Sequence, residues 1–191
     1  MALYRIIDIT EADYGCEEHF DGPHAILKLE DGSSVEVTEK WIAENGIEEG
    51  KLVWLTDDRK VSKAIEVVAA VVKHGNKIFA TQRGYGEFKD MWEFPGGKME
   101  PGEAPEVALV REIKEELDTE IKVEEHIITV DTDYPNFHIK MHVYWCSIVS
   151  GELTLLEHEA AKWVEVDDTL PGVVDWLPAD MEVVEEILRK N

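Results

Sequence analysis

The chain has 191 residues, with 42 Asp plus Glu against 19 Lys plus Arg, a formal charge of −23. That much acid argues against nucleic-acid polymers and anionic membranes as partners. With 44% hydrophobic and 32% charged residues, the sequence is globular rather than disordered, and it can bury a core as one large domain or two small ones.

The longest uninterrupted apolar run is six residues, Val67 to Val72, far short of the roughly 20 needed to span a bilayer. Arg5 and Asp8 interrupt the apolar N-terminus, which leaves no secretory h-region, so the expected location is the cytoplasm. Cys16 and Cys146 are the only cysteines, and two isolated thiols give neither a metal spacing nor a disulfide framework.

Residues 1–60 read as short β segments, Tyr4 to Ile9, Ala25 to Leu29, Val35 to Val37 and Leu52 to Leu55, separated by the turn pairs Asp21-Gly22 and Asp31-Gly32. Four consecutive charges, Asp57 to Lys60, then mark a seam. The expected division is a small β-rich module over 1–60 and a larger domain over 61–191, with the module dispensable for chemistry.

The larger domain opens on a continuous apolar strand, Ile65 to Val72, a His74-Gly75-Asn76 turn and a returning strand, Lys77 to Thr81. A Gly-rich loop, Gly84 to Lys98, leads into a helix from about Glu103 to Leu117, where Pro101 and Pro105 limit how early regular structure begins. Strands follow at Ile127 to Val130, Phe137 to Val149 and Trp163 to Val166. A terminal amphipathic helix, Asp180 to Arg189, places Met181, Val184, Ile187 and Leu188 on one side. The expected class is α/β, a β-rich sandwich with two helices rather than a doubly wound sheet.

Chemistry concentrates in Gly96 to Glu103 and Arg111 to Glu116. At about 100° per residue, Glu115 and Glu116 lie at about −60° and +40° from Glu112, so three carboxylates share an arc of about 100°. Val110, Ile113 and Leu117 form a separate stripe at about +100° to +160° that would bury the helix. A solvated acidic face would use the same trio. The preceding loop argues otherwise: Gly96 and Gly97 admit close backbone approach, Lys98 offers a cation, and clustered carboxylates suit a hard divalent metal completed by phosphate oxygens. The inferred substrate is a phosphoanhydride.

The spacing of Gly97, Glu103 and the run Arg111-Glu112-Ile113-Lys114-Glu115-Glu116 resembles the Nudix box in every charged position. Where that box ends in glycine, this chain has Asp118, which can adopt the left-handed helix end at modest cost. The resemblance runs over residues 63–190 and looks closest to MutT-type nucleoside triphosphate pyrophosphohydrolases, the branch that cleaves CTP or 8-oxo-dGTP. Trp92 to Lys98, Gln82-Arg83, Glu157-His158-Glu159, Trp163 and Leu177 to Asp180 carry it further. It implies an α/β/α sandwich with a mixed sheet.

By resemblance, the Gly97 carbonyl with Glu112, Glu115 and Glu116 would hold Mg²⁺, with Mn²⁺ as an alternative ion. Glu115, Glu116, Glu112 and the loop acid Glu157 are the expected catalytic carboxylates, with Glu159 as the fallback for Glu157. Arg111 would pair with Glu103 and keep loop and helix in register. Arg83 and Lys98 would meet substrate phosphates, although a surface ion pair explains a lone Arg equally well. Asp180 would read the base edge or, instead, cap the last helix. His158 reads as a loop residue. Aromatics such as Tyr134 and Phe137 are left between stacking on a base and core. The expected partner is a nucleotide, with ADP-ribose or a nucleotide sugar as the alternative substrate and a non-catalytic nucleotide sensor as the third reading.

Overall fold

The computed structural model describes residues 2–13, 22–86 and 88–190; Cys16 and Asp21 lie outside them. The chain divides into two compact units, one made of Met1–Ile65 with Asp133–Ile139, the other of Glu66–Thr132 with Lys140–Asn191.

In the first unit, β1 (Ala2–Glu11) pairs antiparallel with β2 (His24–Leu29) and β4 (Leu52–Leu55), and β2 pairs antiparallel with β3 (Ser34–Thr38). Alternation drives this: Val35 and Val37 point inward beside exposed Glu36, and they join Ile6, Leu27, Leu29 and Val53 in one cluster. A helix that the β pattern does not announce, α1 (Glu39–Asn45), follows β3. It starts at Thr38, whose side chain accepts the Trp41 amide, and ends at Gly46 with φ 57°. The charges Asp57 to Lys60 form a hairpin turn: the Thr56 amide donates to the Lys60 carbonyl, and Leu55 pairs with Val61 at the start of β5 (Val61–His74).

In the second unit β5 turns through Gly75 into β6 (Lys77–Gln82). The expected Gly-rich loop contains two short strands, β7 (Trp92–Glu93) on β6 and β8 (Gly96–Lys98) on β5. After them come α2 (Pro105–Leu117), β9 (Glu120–Asp133), β10 (Phe137–Ser150), β11 (Ala160–Glu165), a 3-10 turn (Leu170–Gly172) and α3 (Pro178–Lys190). β10 pairs with β5 and β9, and β11 pairs antiparallel with β6.

The α2 core face differs from the expected stripe. Leu109, Ile113 and Leu117 are buried with Ala108 against Val68, Ala70 and Val72 of β5, whereas Val110 is exposed. Leu109, Ile113 and Leu117 therefore span about +60° to +140° relative to Glu112, with Ala108 at about −40°. Glu116, at about +40°, flanks the core; Glu112 stands next to it, and Glu115 points to solvent. Asp118 ends the helix in the left-handed conformation, φ 47° and ψ 35°, its amide donating to the Lys114 carbonyl and its carboxylate pairing with Lys114 Nζ at 2.5 Å. Asp thus takes the backbone conformation that glycine favours.

α3 begins two residues earlier than expected, and its buried face is Ala179, Asp180, Val183, Val184 and Ile187. Cys146 is buried, and burial pushes its thiol up to about 12, which makes it a packing residue.

Candidate active site

Pro105 sets the α2 N-terminus, leaving Glu103 outside the helix. There the Glu103 carboxylate accepts the Glu100 amide at 3.1 Å and a forked pair from Arg111, Nε at 3.1 Å and Nη2 at 2.8 Å. The same guanidinium donates to the Lys98 carbonyl at 3.1 Å, Glu112 at 2.7 Å and Glu115 at 3.4 Å. One planar cation thus ties β8, the loop and the first helical turns together. Its guanidinium pKa is raised, chiefly by Glu103, and Glu103 is lowered by the same contact.

β8 is seated on β5 by the pairs Val68 with Gly97 and Ala69 with Gly96. A Cβ at Gly96, whose φ is 155°, would collide with the Val68 carbonyl, and one at Gly97 would overlap the Glu112 carboxylate. The two glycines are what let β8 lie flat on β5 while an acid side chain rests on the backbone. Glu116 accepts the Gly96 amide at 3.2 Å. Burial pushes its carboxyl up to about 7; His158 and the Gly96 amide oppose the shift, while Glu112 and Glu93 add to it.

Glu112 and Glu116 therefore both reach the Gly96-Gly97 backbone. Glu115 does not join them: its side chain is 59% exposed and held by Arg111. Among the described residues, no three Asp, Glu, His or Cys side chains converge to metal-holding distance. The chemistry of the donors nonetheless fits a hard divalent cation. All are oxygens, and a carboxyl raised by burial and, to a lesser degree, by its acidic neighbours is one that a cation would return to its charged form.

Glu157 and Glu159 are exposed and lie on the loop before β11, with Lys98 exposed on β8. The Leu156 amide donates to the Glu116 carbonyl at 3.0 Å, and the Glu159 amide to the Gln82 carbonyl at 3.1 Å, so this loop runs beside the end of α2. His158 faces inward: its side chain is 7% exposed, and Nε2 lies 3.7 Å from Glu93 Oε1.

Glu93 is the residue that sequence reasoning left without a role. It is half-buried on β7 and accepts Arg83 Nη1 at 3.0 Å. Its signal was present in Trp92 to Lys98, but its partners Arg83 and His158 come from β6 and the β11 loop. Next to it, Asp180 is 4% exposed and accepts the Phe94 amide at 2.7 Å. Burial raises the Asp180 carboxyl well above the usual range; the Phe94 amide and Arg83 oppose this, and Glu93 adds to it. Asp180 sits in the third position of α3, and its carboxylate serves a distant amide. Tyr134 and Phe137 stack on each other at 5.0 Å.

The profile of the NUDIX domain family matches residues 63–184. The CTP pyrophosphohydrolase of Escherichia coli (strain K12) is 35% identical over 127 residues, covering 66% of this chain and 93% of that protein. The 8-oxo-dGTP diphosphatase of Proteus vulgaris is 35% identical over 94 residues, 48% of this chain and 84% of that protein. Among solved structures, that of the Escherichia coli ORF135 protein superimposes with a TM-score of 0.58 at 34% identity, over 67% of this chain and 91% of that one.

Proposed function

The chain belongs to the NUDIX domain family, and from that premise we propose that it hydrolyses a nucleoside triphosphate to the monophosphate and pyrophosphate with Mg²⁺ bound at the base of α2. CTP or dCTP is the leading substrate, with oxidised dGTP next, by analogy with the named activities of the relatives. The reading places the protein in the nucleotide pool of the cytoplasm, acting on small molecules rather than on nucleic acid or membrane. No helix among the described residues is long and apolar enough to cross a bilayer.

The observation that carries the reading is Glu112 and Glu116 converging on the glycine backbone of β8, one resting on Gly97 and the other bonded to Gly96. Glu112, Glu116 and the Gly97 carbonyl are the proposed metal donors, with Glu115 and Glu157 completing the set from their exposed positions. A divalent cation bound there supplies charge stabilisation to an in-line phosphoryl displacement and lowers the pKa of water. Arg111 fixes Glu112 in the donor position. Arg83 offers a planar set of donors to phosphate oxygens, Lys98 a point charge, and Asp180 an acceptor or, when protonated, a donor toward the base.

Products from CTP, dCTP, 8-oxo-dGTP and ADP-ribose, each with Mg²⁺, test the proposal. Pyrophosphate from at least one triphosphate, at a rate above ADP-ribose cleavage, is expected. Cleavage of ADP-ribose with no pyrophosphate from any triphosphate would replace the assignment with a nucleotide-sugar diphosphatase.

A further inference from the structure

Three segments meet at the C-terminal end of β6. β7 pairs with it through Thr81–Glu93 and Gln82–Trp92, β11 pairs with it through Gln82–Ala160, and Arg83 follows it directly. The loop residue before β11 is fixed in place by the Glu159 amide on the Gln82 carbonyl, and a Cβ at Gly84 would touch the Glu159 Cβ at 3.4 Å. His158 consequently has one direction to take, inward. Its side chain is more than nine-tenths buried, its Nε2 faces Glu93 Oε1 at 3.7 Å, and its Nδ1 is buried without a hydrogen-bond partner among the described residues.

The other oxygen of the same carboxylate, Glu93 Oε2, accepts Arg83 Nη1 at 3.0 Å. Glu93 thus has a guanidinium bonded to one oxygen and an imidazole 3.7 Å from the other. A buried ring with an unsatisfied nitrogen is an unfavourable way to fill a core. Nε2 is the atom that faces a charged partner.

We propose that His158 is a positioning residue, whose Nε2 holds the Glu93 carboxylate in the orientation that presents Arg83 to the substrate phosphates. The inference rests on the nucleotide-hydrolase reading for the role of Arg83, but the His158–Glu93–Arg83 linkage itself is a property of the free protein. Without the imidazole, Glu93 is free to rotate from Arg83, and the guanidinium loses its fixed direction. The effect of this linkage falls on substrate binding, because it ends on Arg83; His158 also opposes the upward shift of the Glu116 carboxyl, so kcat is compared at about pH 9, where Glu116 is ionised.

The experiment has two arms. In nucleotide-free protein, the Arg83 Nη1–H resonance, the donor to Glu93, should be resolved and slowly exchanging in the parent and in His158→Gln, whose amide reaches the Nε2 level. It should merge with the exposed arginines in His158→Ala and Glu93→Gln. His158→Asn, whose amide reaches only the Nδ1 level, is the second loss variant should alanine fail to fold. In the kinetic arm, KM for CTP should rise about tenfold in His158→Ala, with kcat within about twofold. It should return toward the parent value in His158→Gln, and Glu93→Gln should abolish any further effect of His158→Ala.

An Arg83 resonance indifferent to His158 would overturn the proposal. So would rescue by Asn but not Gln, which would assign the work to Nδ1, or a loss confined to kcat, which would assign it to Glu116. If the resonance responds as stated while the parent turns over no nucleoside triphosphate, the functional reading fails and the positioning role stands.

Discussion

The Asp180 carboxylate accepts the Phe94 amide at 2.7 Å across 86 residues of chain, and it does so almost wholly out of water. This bond ties α3 to the segment that leads into the Gly96-Gly97 backbone, so Asp180 is placed by tertiary structure rather than by a cap. Asp180→Asn keeps an oxygen for the Phe94 amide but changes what the remaining atom offers a base. The ratio of kcat/KM for CTP to that for UTP should change about tenfold or more while total turnover survives. An equal fall for every nucleotide would reduce Asp180 to a packing anchor.

Glu116 makes the metal-free protein sensitive to pH. Its carboxyl is held at about 7 against an ordinary 4.5, so the fold favours the neutral form. That contribution is complete below about pH 4.5 and is lost as pH rises through 7. Stability of the metal-free protein should therefore fall across this window, with Glu116 responsible for at most about 3 kcal/mol. Asp180 acts in the same direction, so the comparison that isolates Glu116 is Glu116→Gln, whose stability should fall less steeply. Mg²⁺ at 100 times its Kd should add about 2.7 kcal/mol to the parent at pH 8. Thermal melts of the two proteins with equal pH slopes would show that Glu116 does not set this pH dependence.

Glu103 is the anchor of the Arg111 fork and stands outside the helix. Glu103→Gln should lower the melting temperature by a few degrees and reduce kcat by about tenfold at most, because the Glu112 and Glu116 side chains remain in place. Arg111→Lys should be worse in both measurements, since an ammonium cannot reach Glu103, Glu112 and the Lys98 carbonyl together. A Glu103→Gln variant as inactive as one lacking Glu116 would move Glu103 into the chemistry.

Much of α2 was legible before any coordinates, because Gly97, Glu103 and Arg111 to Glu116 have fixed spacings and Asp118 occupies a helix end that has few backbone options. The choice between Val110 and Leu109 as the buried residue was not, since a stripe of aliphatic residues admits a rotation of about 30° that only the packing against Val68 and Ala70 decides. That same rotation is what half-buries Glu116 and exposes Glu115. α1 was signalled locally, by Thr38 three residues before Trp41 and by Gly46, but it sits within a run of strands whose alternation dominates the pattern. Glu93 and His158 acquire meaning only through each other and Arg83, partners 10 to 75 residues distant in the chain, and no local periodicity encodes such a pairing.

The tip of the β9–β10 hairpin belongs to the first unit, where His138, 2% exposed, stacks on Trp54 at 3.8 Å and bonds Asp133 at 2.8 Å. Removing residues 1–60 strips the ring of its platform and uncovers it. A chain starting at Val61 should retain pyrophosphate release per folded molecule but melt at a lower temperature, and Trp54→Ala in the full chain should reproduce part of that loss. A folded but inactive truncated chain would show that the first unit completes the active site.

Whether Glu116, held at the Gly96 amide, is part of the machinery that cleaves a triphosphate is decided by following phosphorus resonances of CTP with Mg²⁺ and the parent or Glu116→Gln. The parent should convert CTP to CMP and pyrophosphate, and the variant, folded by its melting curve, should be slower by at least about a hundredfold in kcat. Near-parental turnover in folded Glu116→Gln would remove Glu116 from the chemistry.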